Sequence, residues 1–150
     1  MKNLYDAADV EEVKQRAWRL GPASERRWGK MTASQALAHC SLSLEWAVGD
    51  TVPERMFVMG LFGRVIKRFV LRDEEPIRRN APTAKSLVVA DERELAAEQE
   101  RFCRMVDRFA AAGPAGCTRH PHSFFGRLTP DEWSRLMYKH VDHHLRQFGA

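Results

Sequence analysis

The chain reads as all-α: a four-helix bundle with long crossover loops and one extra short amphipathic helix. Three observations predict this. Thr32-Ala-Ser-Gln35 and Thr129-Pro130-Asp-Glu132 are complete capping boxes, in which the threonine hydroxyl accepts from the third amide and the Gln or Glu side chain reaches back. Apolar residues recur at helical spacing in several separate segments. No segment alternates convincingly like a half-buried strand; residues 86–90 are ambiguous.

In order, the first helix is expected over roughly residues 6–20, with Val10, Val13, Ala17 and Leu20 on one side. The second should run from Ala33 to about Val48, ended by Gly49-Asp50 and Pro53. Residues 56–71 form the extra amphipathic helix, since Phe57, Leu61, Val65 and Phe69 keep helical period beside Arg64, Lys67 and Arg68, and its apolar side is expected to cover the bundle or a partner subunit. Asp91 is expected to begin the next helix, whose Leu95, Phe102, Val106 and Phe109 recur until Gly113-Pro114. The last should run from Pro130 to about Gln147 and stop at Gly149. Residues 72–90 and 113–128 hold four of the seven prolines and read as long connections.

A chain of 150 residues with 44% hydrophobic and 29% charged residues is of ordinary globular composition and of single-domain size, so residues 1–150 are expected to form one domain. Uncharged stretches such as residues 31–44 and 56–63 fall short of the ~20 apolar residues that a membrane span needs. Asp6, Asp9, Glu11 and Glu12 occupy the place of a secretory h-region, and Cys40, Cys103 and Cys117 are an odd count without CxxC spacing. A cytoplasmic protein is the expectation. The net charge of +4 is carried by residues 55–79, with seven bases against three acids. That segment reads as a solvated basic face; no aromatic interleaving or zinc-finger spacing accompanies it, so nucleic-acid binding is not expected.

Candidate chemistry lies with the histidines. Three of six fall in His140-Val-Asp-His143-His144, and His140 and His144, four apart, share one helical face on which two imidazoles can converge on one metal ion. Spacing alone is weak, since six histidines scattered at random would give such a pair in roughly one chain in five. The face is more informative. Trp133, Leu136, Met137, His140 and His144 lie on one apolar stripe, so the pair points inward, where an imidazole needs a hydrogen-bond partner or a metal. His39 is the only histidine on the first capped helix and lies among small residues that let a neighbouring helix approach; it is the candidate third ligand. Three histidines with an open fourth position are the arrangement of a catalytic site rather than a structural one. His143 sits on the flank, with a role supporting the ligands or facing solvent. Cys40 and Cys103 read as buried packing residues rather than nucleophiles. No catalytic residue is singled out, and His120 and His122 receive no role.

The ending Gly126-Arg-Leu-Thr-Pro-Asp-Glu-Trp133, followed by Tyr138-Lys-His-Val-Asp-His-His-Leu-Arg-Gln-Phe-Gly149, resembles an uncharacterised branch of the DinB-like superfamily, as do Trp28-Gly-Lys-Met-Thr with His39 downstream and Arg79-Asn-Ala-Pro-Thr83. The resemblance implies a four-helix bundle in which a histidine on helix two and an HxxxH pair on helix four hold a divalent cation, usually nickel or zinc; here these are His39, His140 and His144. It also implies metal-dependent hydrolases or thiol-dependent transferases, with a low-molecular-weight thiol among the substrates and a homodimer as the assembly. The branch reads His-Pro then Phe-Gly before its last helix, whereas here His120-Pro121-His122-Ser123 precedes Phe124-Phe125-Gly126.

Bound metal would lower the pKa of a water or thiol and polarise a carbonyl. The zincin glutamate that would act as base is replaced by Val141, and Asp142 points about 160 to 200° away from the ligand pair, toward His143 or Arg146. Two readings follow: a metal-dependent enzyme acting on a small molecule, and a noncatalytic, metal-stabilised helical module that binds a ligand or partner.

Overall fold

The computed structural model describes residues 1–52, 60–72 and 75–150. Its helices are α1 (Ala7–Trp18), α2 (Ala33–Val48), α3 (Gly60–Val70), α4 (Leu95–Ala112) and α5 (Pro130–Gln147), with 3-10 turns at Lys85–Leu87 and Pro114–Gly116. Among the described residues there is no strand, only one antiparallel bridge between His122 and Gly126. Residues 86–90, ambiguous in sequence, run from the 3-10 turn at Lys85–Leu87 into extended chain at Val88.

Both capping boxes form as the sequence predicts. The Gln35 amide does more than close its box: Oε1 accepts from the Thr32 amide at 3.0 Å while Nε2 donates to the Asp91 carbonyl at 3.0 Å, tying the start of α2 to the crossover before α4. Asp6 caps α1, and Gly49, at φ 84°, ends α2 in the left-handed region open to glycine. The start of α4 departs from expectation by four residues. Glu94, not Asp91, is the cap, because its longer side chain folds back to accept from the Ala97 amide at 2.8 Å while Asp91 is engaged by Arg93.

α1, α2, α4 and α5 form the bundle, α2 lying against both α4 and α5 and α1 against the same two. Phe102, Phe109, Trp133, Leu37, Leu44 and Val106 are fully buried at its centre, each worth about 1.5–3 kcal/mol of burial. Ser34, Ala36, Ala38, Ser41 and Ser43 are buried on α2 as their size allows, and the Ser41 and Ser43 hydroxyls donate to the Leu37 and His39 carbonyls one turn back.

α3 does not lay its apolar stripe on the bundle, the first of the two covers expected for it. Phe57 lies outside the described residues, but Val65 and Phe69 of the same stripe are 55% and 63% exposed rather than packed on the bundle. Gly63 and Lys67 make the contact instead. Gly63 lies so close to the turn at residues 124–125 that a Cβ would meet the Phe124 carbonyl oxygen, and Lys67 pairs with Glu132 at the start of α5 at 2.8 Å. Part of the basic segment is therefore engaged and not merely solvated.

Candidate metal centre

α2 and α5 place His39, His140 and His144 against one another, with ring centroids 4.7 to 4.9 Å apart and planes inclined by 65° to 89°. One ring nitrogen from each lies within 4.8 Å of the other two. These are the three residues that the sequence singled out. His39 and His144 are buried, and His140 is partly so.

The outward nitrogens show which atoms face inward. His39 Nδ1 lies 2.8 Å from the Leu87 carbonyl, which can only accept, so Nδ1 carries the proton and Nε2 presents a lone pair. His144 Nδ1 lies 3.0 Å from Gln147 Oε1. The Gln147 amide is itself oriented, because its Nε2 donates to the Trp28 carbonyl at 2.7 Å, so His144 also carries its proton on Nδ1 and turns Nε2 inward. His140 Nε2 stands 2.9 Å from His39 Nε2, and its Nδ1 is enclosed with no partner.

Electrostatics keeps these rings neutral. Burial lowers the His39 pKa despite the Leu87 carbonyl. Burial takes His144 down to about 3, with His39 adding to the effect, and burial with the neighbouring His39 and His144 rings holds His140 well below the usual imidazole range. The Nε2 lone pairs of His39 and His144 face His140, whose Nε2 joins them as a third donor once its proton moves to Nδ1; three neutral imidazoles are a donor set that divalent nickel or zinc accepts, so the residues fit such an ion.

His143 is buried rather than surface-facing: its Nδ1 donates to the Ile77 carbonyl at 3.1 Å and its ring leans on His144 and Trp28 at 5.1 and 5.5 Å. The Arg79 guanidinium lies 4.3 Å from the Trp28 ring centroid, so the Trp28 and Arg79 blocks meet above the cluster. Asp142 turns away as its helical position requires, accepting from Arg146 at 2.7 Å and Arg16 at 2.8 Å. Cys40 and Cys103 are buried with their thiol pKa values raised by that burial, and neither lines the cavity described next.

The three histidines open onto a cavity of about 610 Å³, within the range of small-molecule sites. Its walls are largely apolar, including Met31, Val70, Ile77, Leu87, Phe124 and Met137.

The family described as "Protein of unknown function (DUF1569)" matches residues 3–150. The chain belongs to the DUF1569 family. No curated protein and no solved structure matches it.

Sequence reasoning missed three features of this DUF1569 site. His122 lines the cavity, stacked on Phe125 at 4.9 Å and tilted against Trp133 at 5.3 Å, and burial takes its pKa down to about 4. Gln147 was readable in principle, since it follows His144 by three residues and so lies on its face. The Leu87 and Ile77 carbonyls, which hold His39 and His143, carry no side-chain signal at all.

Proposed function

We propose that His39, His140 and His144 hold one divalent cation, nickel or zinc, and that this DUF1569 protein is a metal-dependent enzyme acting on a small molecule in the adjoining cavity, as a hydrolase or a thiol-dependent transferase. The observation that carries this reading is the paired commitment of Nδ1 on His39 and His144, which leaves two Nε2 lone pairs, with His140 between helices, aimed at one point beside a cavity of about 610 Å³. Structural zinc sites are closed by four protein ligands, whereas three ligands beside a cavity leave a position for substrate. The resemblance to the DinB-like superfamily supports the same ligand set by pattern, His39 on the second helix and His140 and His144 on the last.

When bound, the cation would supply Lewis acidity, polarising a carbonyl or lowering the pKa of a thiol. The chain's own contribution is orientation and exclusion of water. Leu87, Gln147 and Ile77 fix three imidazoles, and the apolar walls lower the local dielectric around the reacting group. A low-molecular-weight thiol would serve as co-substrate in the transferase case, because no cysteine lines the cavity among the described residues.

One observation favours the second reading, a noncatalytic metal-stabilised module that binds a ligand or partner: no carboxylate lines the cavity among the described residues, so no obvious general base stands beside the histidines. The two separate by experiment. Zinc- or nickel-loaded protein is assayed on nitrophenyl esters, anilides and electrophilic thiol acceptors with a small thiol. Turnover that His144→Ala abolishes supports the enzyme. Stoichiometric metal with no turnover on any of these classes favours the module, and protein that takes up neither metal overturns both.

A further inference from the structure

The cavity lining contains a polar device that the proposed metal site does not use. His122 stands in a tight turn closed by two backbone bonds with Gly126, at 2.8 and 3.1 Å. Its Nδ1 accepts from the Phe124 and Phe125 amides at 3.1 and 3.4 Å. An amide can only donate, so Nδ1 is bare and the proton of the neutral ring sits on Nε2. The low pKa that burial imposes agrees with a ring that stays neutral at pH 7. Nε2 is not among the enclosed, unpartnered side-chain atoms, while the ring lines the cavity with its other edge turned to the two amides. A fixed N–H therefore faces the cavity.

The charge of the cavity points the same way. The charged side chains that line it among the described residues are Lys30 and Arg78, both basic. Three neutral imidazoles leave the charge of a divalent cation uncompensated, and no described carboxylate offsets it. An apolar space with a positive interior and a fixed donor complements a molecule of opposite design.

We infer that the cavity binds a small monoanion with an apolar body and one oxygen-bearing head, and that the N–H of His122 holds that head. The charge preference rests on the cation reading above; the His122 contact does not. Decanoate, decanol and decylamine serve as probes of one shape and three heads, titrated calorimetrically into zinc-loaded and metal-free protein. His122→Asn is the informative variant, since the asparagine oxygen can still accept from the 124–125 amides while the N–H facing the cavity is removed.

In zinc-loaded protein decanoate should bind at least tenfold tighter than decylamine. His122→Asn should weaken decanoate about tenfold in both forms and decanol by clearly less. Equal binding of the three probes, or equal loss of decanoate and decanol in the variant, overturns the inference even where zinc binds stoichiometrically. Zinc that fails to bind while the His122 dependence for decanoate persists overturns the cation reading and leaves the His122 contact standing.

Discussion

Gln147 sits at the last position of α5 and joins two things that metal binding would need, the proton position on His144 and the place of the Trp28 loop. Removing its amide frees the imidazole to flip its tautomer and turn Nδ1 inward. Gln147→Ala should therefore weaken zinc binding about 10- to 100-fold, read by competition with a chromophoric chelator, the range usual for residues that orient a ligating histidine. Unchanged affinity would show that His144 needs no such anchor. His122 makes a prediction about acid. Its folded pKa, about 4, lies below the ~6.5 of an unfolded histidine, so the unfolded chain binds the extra proton first as pH falls. Sign follows directly: the stability is complete above about pH 6.5 and declines between 6.5 and 4, by about 1.4 kcal/mol per pH unit from this one ring, on the order of 3 kcal/mol in all. His122→Asn should flatten that part of the stability-pH curve measured by urea unfolding. A curve of the same slope in the variant would contradict the assignment. The clustered histidines were legible because two of them share a helical face with Trp133 and Met137 and the third lies in a charge-free stretch, residues 31–44. His122 was not, because its burial comes from a turn closed by backbone bonds that leave no mark on side-chain periodicity.

At the scale of elements, the ends of α2 and α5 were readable to the residue because threonine, glutamine and glutamate caps act within one turn and answer only to local chemistry. α4 was misread at its start because two acidic residues three apart, Asp91 and Glu94, both suit a cap, and the choice is made by one near and one distant partner: Arg93 takes the Asp91 carboxylate and Gln35 its carbonyl. For α3 the expected packing of the apolar stripe on the bundle does not occur. Val65 and Phe69 lie two residues, about 200°, around the helix from Gly63 and Lys67, so only one of the two faces can meet the bundle, and the missing Cβ of Gly63 decides which one approaches the 124–125 turn. Gly63→Ala should push α3 from that turn and cost about 1–3 kcal/mol in thermal or urea unfolding, whereas Phe69→Asp should change stability by less than about 0.5 kcal/mol. The reverse order would place the stripe against the bundle after all. A homodimer built on the stripe, the assembly that the family resemblance implies, would dissociate in Phe69→Asp, read by sedimentation.

Across the whole molecule, the architecture explains why the long crossovers exist. A bundle of four helices buries apolar faces without help, yet here residues 75–90 cross the site to bring the Leu87 and Ile77 carbonyls to His39 and His143, residues 113–128 bring His122, and the loop before α2 brings Trp28. Helix periodicity foretold that these segments would be long and irregular; what they contribute is backbone carbonyls, to which sequence patterns are blind. No described helix is long and apolar enough to cross a membrane. Because His39 lies on α2 and His140 and His144 on α5, an ion held by all three links two helices far apart in sequence and favours the folded state by mass action. At a free zinc concentration 1,000 times the dissociation constant the gain is about 4 kcal/mol, and the melting temperature should fall by roughly 8–16 °C when the ion is chelated. The most direct measurement is the metal content of the purified chain after incubation with zinc or nickel and dialysis, in the wild type and in single alanine variants. The account predicts one ion per chain, a sharp loss in His39→Ala, His140→Ala and His144→Ala, and a much smaller loss in His143→Ala. Full occupancy in His39→Ala, or metal near zero in the wild type, would contradict it.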